Sequence, residues 1–187
     1  MRIISGNFKG KKLFIPEDEN TRPLKDNVKE SIFNILEHSK LISYSLNNSK
    51  ILDLFSGVGS FGLECISRKS SHVTFFENYN PALKILKRNI KALNCYKKTE
   101  IIEEDIFNLE NIKIKFKNYD FIFLDPPYKE SRVNILLKLI RKNKILKKNG
   151  IVLLHRDKKS KDQFPKNFKI LIVKNYGRSR IFFGKFN

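Results

Sequence analysis

A short proline-rich turn contains the residues best suited to chemistry. Asp125-Pro126-Pro127-Tyr128 directly follows an unbroken apolar run, Phe121–Leu124. Each proline fixes a φ angle and keeps the residue before it out of helical geometry, so the turn should be a rigid ledge. The ledge offers the Asp125 carboxylate and the Pro126 carbonyl as hydrogen-bond acceptors, with an aromatic ring beside them.

An exocyclic amino group of a nucleobase fits this set of groups. Its lone pair is delocalised into the base, which makes the nitrogen a poor nucleophile. Two acceptors that hold the N–H groups can direct the lone pair and stabilise the positive charge that develops on nitrogen. A base that has left its neighbours can stack on an aromatic ring, at roughly 1–3 kcal/mol per base. We therefore predict the catalytic residues to be Asp125, Pro126, Pro127 and Tyr128.

A glycine-rich segment, Asp53–Glu64, follows one predicted strand and opens a helix. Its glycines match the G-x-G-x-x-G pattern and are Gly57, Gly59 and Gly62. Glu77 ends the next strand, where a carboxylate can accept hydrogen bonds from ribose hydroxyls. Asp53 would oppose a pyrophosphate but suits a ligand with an ammonium and a sulfonium. The segment therefore favours S-adenosylmethionine over NAD as the cofactor.

A second acidic segment, Glu103–Ile106, follows the third predicted strand. An acid there can accept a hydrogen bond from the adenine amino group, with Ile106 against the ring. This predicts that Asp105 and Ile106 belong to the cofactor site.

Both motifs must be positioned by a sheet. From Lys50 onward strands alternate with helices, which predicts an α/β fold with a mostly parallel, seven-stranded sheet and helices on both faces. The predicted strands are Ile51–Leu54, Val73–Phe76, Ile101–Ile102, Phe121–Leu124, Ile151–Leu154, Ile170–Val173 and Ile181–Phe183. We expect Asn149-Gly150 to form a turn before the fifth strand. In such sheets ligands bind beyond the carboxyl ends of the strands, where both motifs fall.

Residues 1–47 are predicted to form an extension in front of a catalytic core, residues 48–187, within a single domain. Gly6 and Gly10 suggest a short hairpin. A helix should follow, with an apolar face that includes Val28 and Ile32 and with Asp26 as its cap.

Positive charge is unevenly distributed along the chain. The formal net charge is +19. Residues 49–128 contain 12 basic and 10 acidic residues, whereas residues 129–187 contain 18 basic and 3 acidic residues. Such an excess attracts polyanions. The pattern predicts RNA contacts at both ends of the chain, through Arg2, Lys9, Lys11, Lys12, Arg22, Arg178 and Arg180.

The two motifs resemble motifs I and IV of the amino-methyltransferases with the Rossmann-like fold. The N-terminal strings and the tail from Tyr176 to Phe183 more specifically resemble the bacterial 16S ribosomal RNA guanine-N2 methyltransferases that act on position 966. Those strings are Arg2-Ile3-Ile4-Ser5-Gly6, Lys9-Gly10-Lys11-Lys12-Leu13, Arg22-Pro23 and Val28-Lys29-Glu30-Ser31-Ile32-Phe33-Asn34.

The resemblance implies a Rossmann-like class I methyltransferase that uses S-adenosylmethionine and methylates a guanine of 16S rRNA. The implied substrate is the 30S subunit or its assembly intermediate, and the turn at Asp125–Tyr128 would hold the guanine. We assign the cofactor site to Asp53, Phe55, Ser56, Gly57, Gly59, Ser60, Glu77, Asn78, Asp105 and Ile106.

Two other functions remain open on the residues alone. The same turn can serve a methyltransferase for DNA adenine-N6 or a protein glutamine amide, although no added target-recognition domain is visible. A non-catalytic RNA-binding assembly factor would not need Asp53, Glu77 and Asp125.

Several classes of protein are disfavoured. No apolar stretch approaches the roughly 20 residues that span a bilayer, and the first residues contain no signal-peptide-like apolar segment. The two cysteines, Cys65 and Cys95, form no metal-binding spacing. We therefore expect a cytoplasmic, metal-free protein, and we expect a monomer because nothing in the sequence suggests an obligate dimer.

Overall fold

The computed structural model describes residues 1–17, 24–108 and 118–187. The seven strands are Lys50–Leu54 (β1), His72–Phe76 (β2), Thr99–Ile102 (β3), Tyr119–Leu124 (β4), Leu146–Asp157 (β5), Phe168–Tyr176 (β6) and Ser179–Phe186 (β7). The α-helices are Asp26–His38 (α1), Ser60–Ser67 (α2), Asn80–Ala92 (α3) and Val133–Lys142 (α4). Short 3-10 turns lie at Gly6–Phe8, Tyr96–Lys98 and Ile106–Asn108.

The strands form one sheet with the order β3-β2-β1-β4-β5-β7-β6. All neighbours from β3 to β5 are parallel, whereas β7 is antiparallel to both β5 and β6. The predicted mostly parallel sheet is confirmed. The strand order reverses between β1 and β4, and crevices for ligands in open α/β sheets form at such a reversal.

Apolar side chains alternate between the two faces of the sheet. Ile51, Phe121 and Ile151 pack on one face with α1, α2 and α3. Leu52, Ile122 and Val152 pack on the other face with α4. The central strands therefore have no solvated face, which explains their nearly continuous apolar sequence.

Two local predictions were wrong. Asn149 and Gly150 lie inside β5 rather than in a turn before it, and the pairing of β4 with β5 is irregular between Tyr119 and Phe121. Asn149 adopts φ 64° there. The two residues whose sequence is typical of a turn therefore form an irregularity within the strand. Asp26 is the first residue of α1, and Lys25 occupies the N-cap position without a side-chain bond.

Residues 1–14 form an arm that is hydrogen-bonded to α1 and α2. Arg2 and Lys12 make one antiparallel bridge, which agrees with the predicted hairpin. The fully buried Glu64 carboxylate accepts hydrogen bonds from the N–H groups of Ile4 and Ser5, at 2.7 and 3.0 Å. The equally buried Lys29 donates to the Arg2 carbonyl.

In the described part of the chain, no helix is long and apolar enough to cross a membrane.

Candidate active site

The two sequence motifs meet because they follow neighbouring strands. Leu54 at the end of β1 is in register with Leu124 at the end of β4, and the Asp125 N–H donates to the Leu54 carbonyl at 3.3 Å. A cavity of about 460 Å³ opens there. It is lined by residues that include Asp53, Phe55, Ser56, Gly57, Ser60, Glu77, Asn78, Asp125, Pro126, Pro127 and Tyr128. The predicted meeting of Gly57 and Asp125 at one rim is confirmed.

Gly57 presents bare backbone to this cavity. Its φ is +55°, a conformation that L side chains rarely adopt, and an added Cβ would meet no protein atom within 4 Å. Its N–H donates to Glu77 Oε2 at 2.6 Å, while Glu77 Oε1 accepts from the N–H groups of Asn78 and Tyr79. The glycine loop and the end of β2 are thus held together, with open space in front of them.

Asp53 lies beneath the loop and is almost completely buried. Its Oδ2 accepts a hydrogen bond from the Gly62 N–H at 3.0 Å, which fixes the first turn of α2. Burial raises the pKa of the Asp53 carboxyl well above its usual range; the Gly62 bond opposes this shift, and the Asp125 and Glu77 carboxylates add to it.

Three carboxyl groups therefore surround one cavity in a protein of net charge +19: Asp53, Glu77 and Asp125. Mutual repulsion among them would be relieved by a cation. A ligand with a sulfonium and an ammonium meets that requirement, and a pyrophosphate does not. The residues present thus fit S-adenosylmethionine, with Gly57 leaving space where a ligand can approach the backbone.

The Asp125 side chain is held from β5. Its Oδ1 lies 2.7 Å from Nδ1 of His155, and Nε2 of the same ring lies 2.9 Å from the Ser179 hydroxyl. The His155 ring also meets the Tyr128 ring edge-on, with centroids 6.3 Å apart. A single histidine therefore contacts the turn on one side and β7 on the other.

The backbone of the turn is held by the next residue, Arg156. Its guanidinium donates to the carbonyls of Pro127 and Glu130, at 3.1 and 2.7 Å, and pairs with both oxygens of Asp162. The side chains of Arg156 and Asp162 are each 4% exposed. The proline-rich turn is therefore held at the Asp125 carboxylate and at the Pro127 carbonyl.

Three residues assigned to the cofactor site do not line the cavity. Gly59 has φ +81° at the N-cap of α2, and a Cβ there would lie 2.4 Å from Leu86, so this glycine serves close packing. Ile106 is buried in the core cluster on the α4 face of the sheet. Asp105 is exposed, and its carboxylate accepts from the Phe107 N–H. The predicted side-chain contact of Ile106 with adenine stays a prediction, and in this structure that side chain packs in the core.

The residues assigned to RNA lie in two places. Arg2, Lys9, Lys11 and Lys12 are exposed on the arm, whose Phe8 N–H bonds to Ser67 at the carboxyl end of α2. Ser60, at the other end of α2, lines the cavity, so seven residues, or about 10 Å, separate them along the helix.

Arg178 and Arg180 flank Ser179 at the start of β7, beside the cavity. Arg178 is largely exposed and lies 3.3 Å from Asp157, whereas Arg180 donates to Asn175. Arg22 lies outside the described residues.

Sequence reasoning assigned no role to His155. The available signal was its position immediately after the apolar run Ile151–Leu154, next to the strand that ends at Asp125. Other cavity-lining residues that were not predicted are Leu24, Val58, Phe61, Tyr79 and Phe123.

Among residues 1–17, 24–108 and 118–187, no group of three or more His, Cys, Asp or Glu side chains is arranged to hold a metal ion.

Comparisons with known proteins find relatives that match nearly the whole chain. A family model described as conserved hypothetical protein 95 matches residues 1–185. The protein called ribosomal RNA small subunit methyltransferase D in Buchnera aphidicola (from Acyrthosiphon pisum) is 36% identical over 168 residues, which cover 90% of this chain and 84% of that protein. The Haemophilus influenzae protein of the same name is 32% identical, with coverages of 95% and 89%.

Two solved structures share the whole architecture. Haemophilus influenzae HI0767, whose description names a methylase, superposes with a TM-score of 0.76 at 30% identity and covers 98% of this chain and 96% of its own. Escherichia coli yhhF superposes with a TM-score of 0.83 at 22% identity, covering 100% and 97%, which supports the fold.

Proposed function

Because the chain belongs to the conserved hypothetical protein 95 family and has its Rossmann-like methyltransferase fold, we propose that it methylates ribosomal RNA of the small subunit with S-adenosylmethionine. We propose further that the target is the exocyclic N2 amino group of a guanine in 16S rRNA. The observation that carries the proposal is the meeting of the carboxylate-lined cavity with the Asp125 turn at the ends of β1 and β4.

The cofactor would be held mainly by residues after β1 and β2. When bound, S-adenosylmethionine supplies a methyl group attached to a positively charged sulfur. Asp53 and Glu77 provide negative charge beneath and beside the glycine loop, and Gly57 leaves space for close approach. Phe55 and Ser60 also line the cavity. Gly59 would contribute through the packing of the loop rather than by contact with the cofactor.

The turn would act on the nucleophile. Asp125 accepts one N–H of the base amino group and the Pro126 carbonyl accepts the other, which directs the nitrogen lone pair away from the base plane. The nitrogen would gain its bond to the methyl carbon as the carbon–sulfur bond breaks and leaves its electron pair on sulfur. The nitrogen then becomes positive, and the Asp125 carboxylate would stabilise that charge before one proton leaves the nitrogen for the carboxylate and then solvent. Tyr128, which is 36% exposed at the cavity, offers its ring to the base.

The choice of RNA and of guanine has separate support. The relatives' names specify small-subunit rRNA, and the N-terminal strings resemble the guanine-N2 enzymes. The positive charge of the C-terminal third suits a phosphate backbone. An enzyme with this substrate would work in the cytoplasm on the 30S particle or its precursor.

A methyl-transfer assay with 30S particles and free 16S rRNA from cells that lack the activity tests this proposal. We expect label from the methyl donor to appear in N2-methylguanosine after nucleoside analysis. Asp125→Ala should lower the rate by at least about 10²-fold, the usual effect of removing a group that stabilises transition-state charge. Methyl label in DNA or protein instead of RNA would contradict the proposed RNA substrate. Salt-sensitive RNA binding without methyl transfer would contradict the proposed enzymatic role.

A further inference from the structure

The contacts of His155 restrict the protonation of its ring. An ionised carboxylate is only an acceptor, so the short contact with Asp125 Oδ1 requires a proton on Nδ1. In the neutral ring Nε2 is then an acceptor, and the Ser179 hydroxyl is placed to donate to it at 2.9 Å. The hydroxyl thus favours the tautomer that can donate to Asp125.

This contact gives the two carboxylate oxygens of Asp125 different hydrogen-bond partners. Oδ1 contacts the His155 side chain, which is 8% exposed, whereas within the described residues no group donates to Oδ2. The Asp125 side chain is 22% exposed and faces the cavity, so Oδ2 is the oxygen that a ligand can reach. Without the histidine the carboxylate would be free to rotate about its last torsion angle.

We propose that His155 is a positioning residue that holds Asp125 Oδ1 and so presents Oδ2 to the base amino group, with Ser179 setting the tautomer of the ring. This inference rests on the proposed methyl transfer. It places one residue from each of β5 and β7, and the residue that follows β4, in a single hydrogen-bonded chain, Asp125–His155–Ser179.

Four variants assayed on 30S particles test the proposal. His155→Leu removes the donor and should lower kcat by roughly 10–100-fold, because small misplacements of a reacting group have effects of this size. His155→Asn keeps an N–H donor near the position of Nδ1 and should recover most of that loss. Ser179→Ala should lower kcat by a smaller factor, since the ring remains. His38→Leu changes an exposed histidine of α1 and should match the wild type.

The affinity of the four variants for S-adenosylmethionine should stay within about twofold of the wild type, because the loss concerns orientation of the acceptor. A fall in cofactor affinity that parallels the fall in kcat would show a merely structural role. Equal losses in the leucine and asparagine variants would also overturn the proposal, since hydrogen-bond donation would then be irrelevant.

A spectroscopic readout that needs no substrate separates this inference from the proposed function. ¹⁵N NMR of the histidine rings in the wild-type protein should show His155 protonated at Nδ1, and Ser179→Ala should shift the ring toward a mixture of tautomers. A proton on Nε2 alone in the wild type would overturn the inference even if methylation is observed. Conversely, absence of methyl transfer to RNA by the wild type would contradict the proposed function and leave the tautomer result standing.

Discussion

At the scale of single residues, the buried Asp53 carboxyl links stability to ligand binding. Burial raises the pKa of Asp53 well above its usual range. An unfolded aspartate has a pKa of about 3.9, so between that pH and the raised pKa the folded protein keeps a proton that the unfolded chain has released. The free energy of unfolding therefore falls as the pH rises through this window. A bound cation would offset this by favouring the charged carboxylate.

Asp53→Asn should separate the two effects. The amide oxygen can still accept from the Gly62 N–H but does not titrate. As the pH rises from about 4, the unfolded value, through the raised pKa of Asp53, we expect the unfolding free energy of the wild type to fall relative to that of the variant in urea denaturation. Binding of S-adenosylmethionine, measured by calorimetry, should strengthen with pH in the wild type and remain weak in the variant.

Glu30→Gln is the matched control, because Glu30 is an exposed acid of α1 that does not line the cavity. It should follow the wild type in both measurements. Parallel stability profiles for the wild type and Asp53→Asn would contradict the raised pKa.

At the scale of elements, the buried Asn89 of α3 joins the arm to the glycine loop. Its amide oxygen accepts from the Phe14 N–H at 2.8 Å, and its nitrogen lies 3.1 Å from both the Phe14 and Val58 carbonyls. Val58 lines the cavity. One buried side chain is thus bonded both to the arm and to a residue that lines the cavity.

Asn89→Ala should therefore weaken both stability and cofactor binding. Leaving buried backbone groups without partners costs about 1–3 kcal/mol, to be measured by urea denaturation, and the loosened loop should bind S-adenosylmethionine less tightly. Asn143→Ala is the control, since the Asn143 side chain bonds to the Leu139 carbonyl, which belongs to the helix that it follows. Unchanged cofactor affinity in a destabilised Asn89→Ala protein would show that the arm and the loop are independent.

At the scale of the whole molecule, acidic side chains line the cavity and basic side chains lie on the exposed surface next to it. The cavity carries three carboxyl groups, while the exposed residues Lys158 and Lys159 directly follow the end of β5 at the same edge of the sheet. We therefore expect these lysines to contact RNA phosphates on the side of the sheet where the acidic cavity opens. The cavity and the residues that follow β5 therefore have side chains of opposite charge.

Neutralising the cavity-edge lysines should weaken RNA binding. In Lys158→Gln/Lys159→Gln, the affinity for 16S rRNA should fall, and the slope of log K against log salt should decrease by about 0.7–0.9 for each phosphate that the protein no longer neutralises. Lys97→Gln/Lys98→Gln is a matched pair, because those exposed lysines precede β3 at the opposite edge of the sheet. Equal effects of the two pairs in filter binding at several salt concentrations would indicate nonspecific attraction alone.

Local patterns were sufficient to predict the order of the strands along the chain and the loops that form the cavity. Alternating strands and helices imply a parallel sheet, and loops after adjacent parallel strands must share an edge. Asp53, Gly57, Glu77 and Asp125 could therefore be assigned to one rim from the sequence, because the chemistry of each is visible in its own motif.

The partners of those residues were decided by the tertiary structure. His155 is 30 residues from Asp125 in the chain, and only the pairing of Leu124 with Leu154 places them side by side. Ser179 joins them because β7 runs antiparallel to β5. The burial of Ile106 in the core was likewise not predicted, since packing determines which way a loop side chain points. Register and side-chain direction depend on contacts between distant segments, which short-range sequence patterns do not encode.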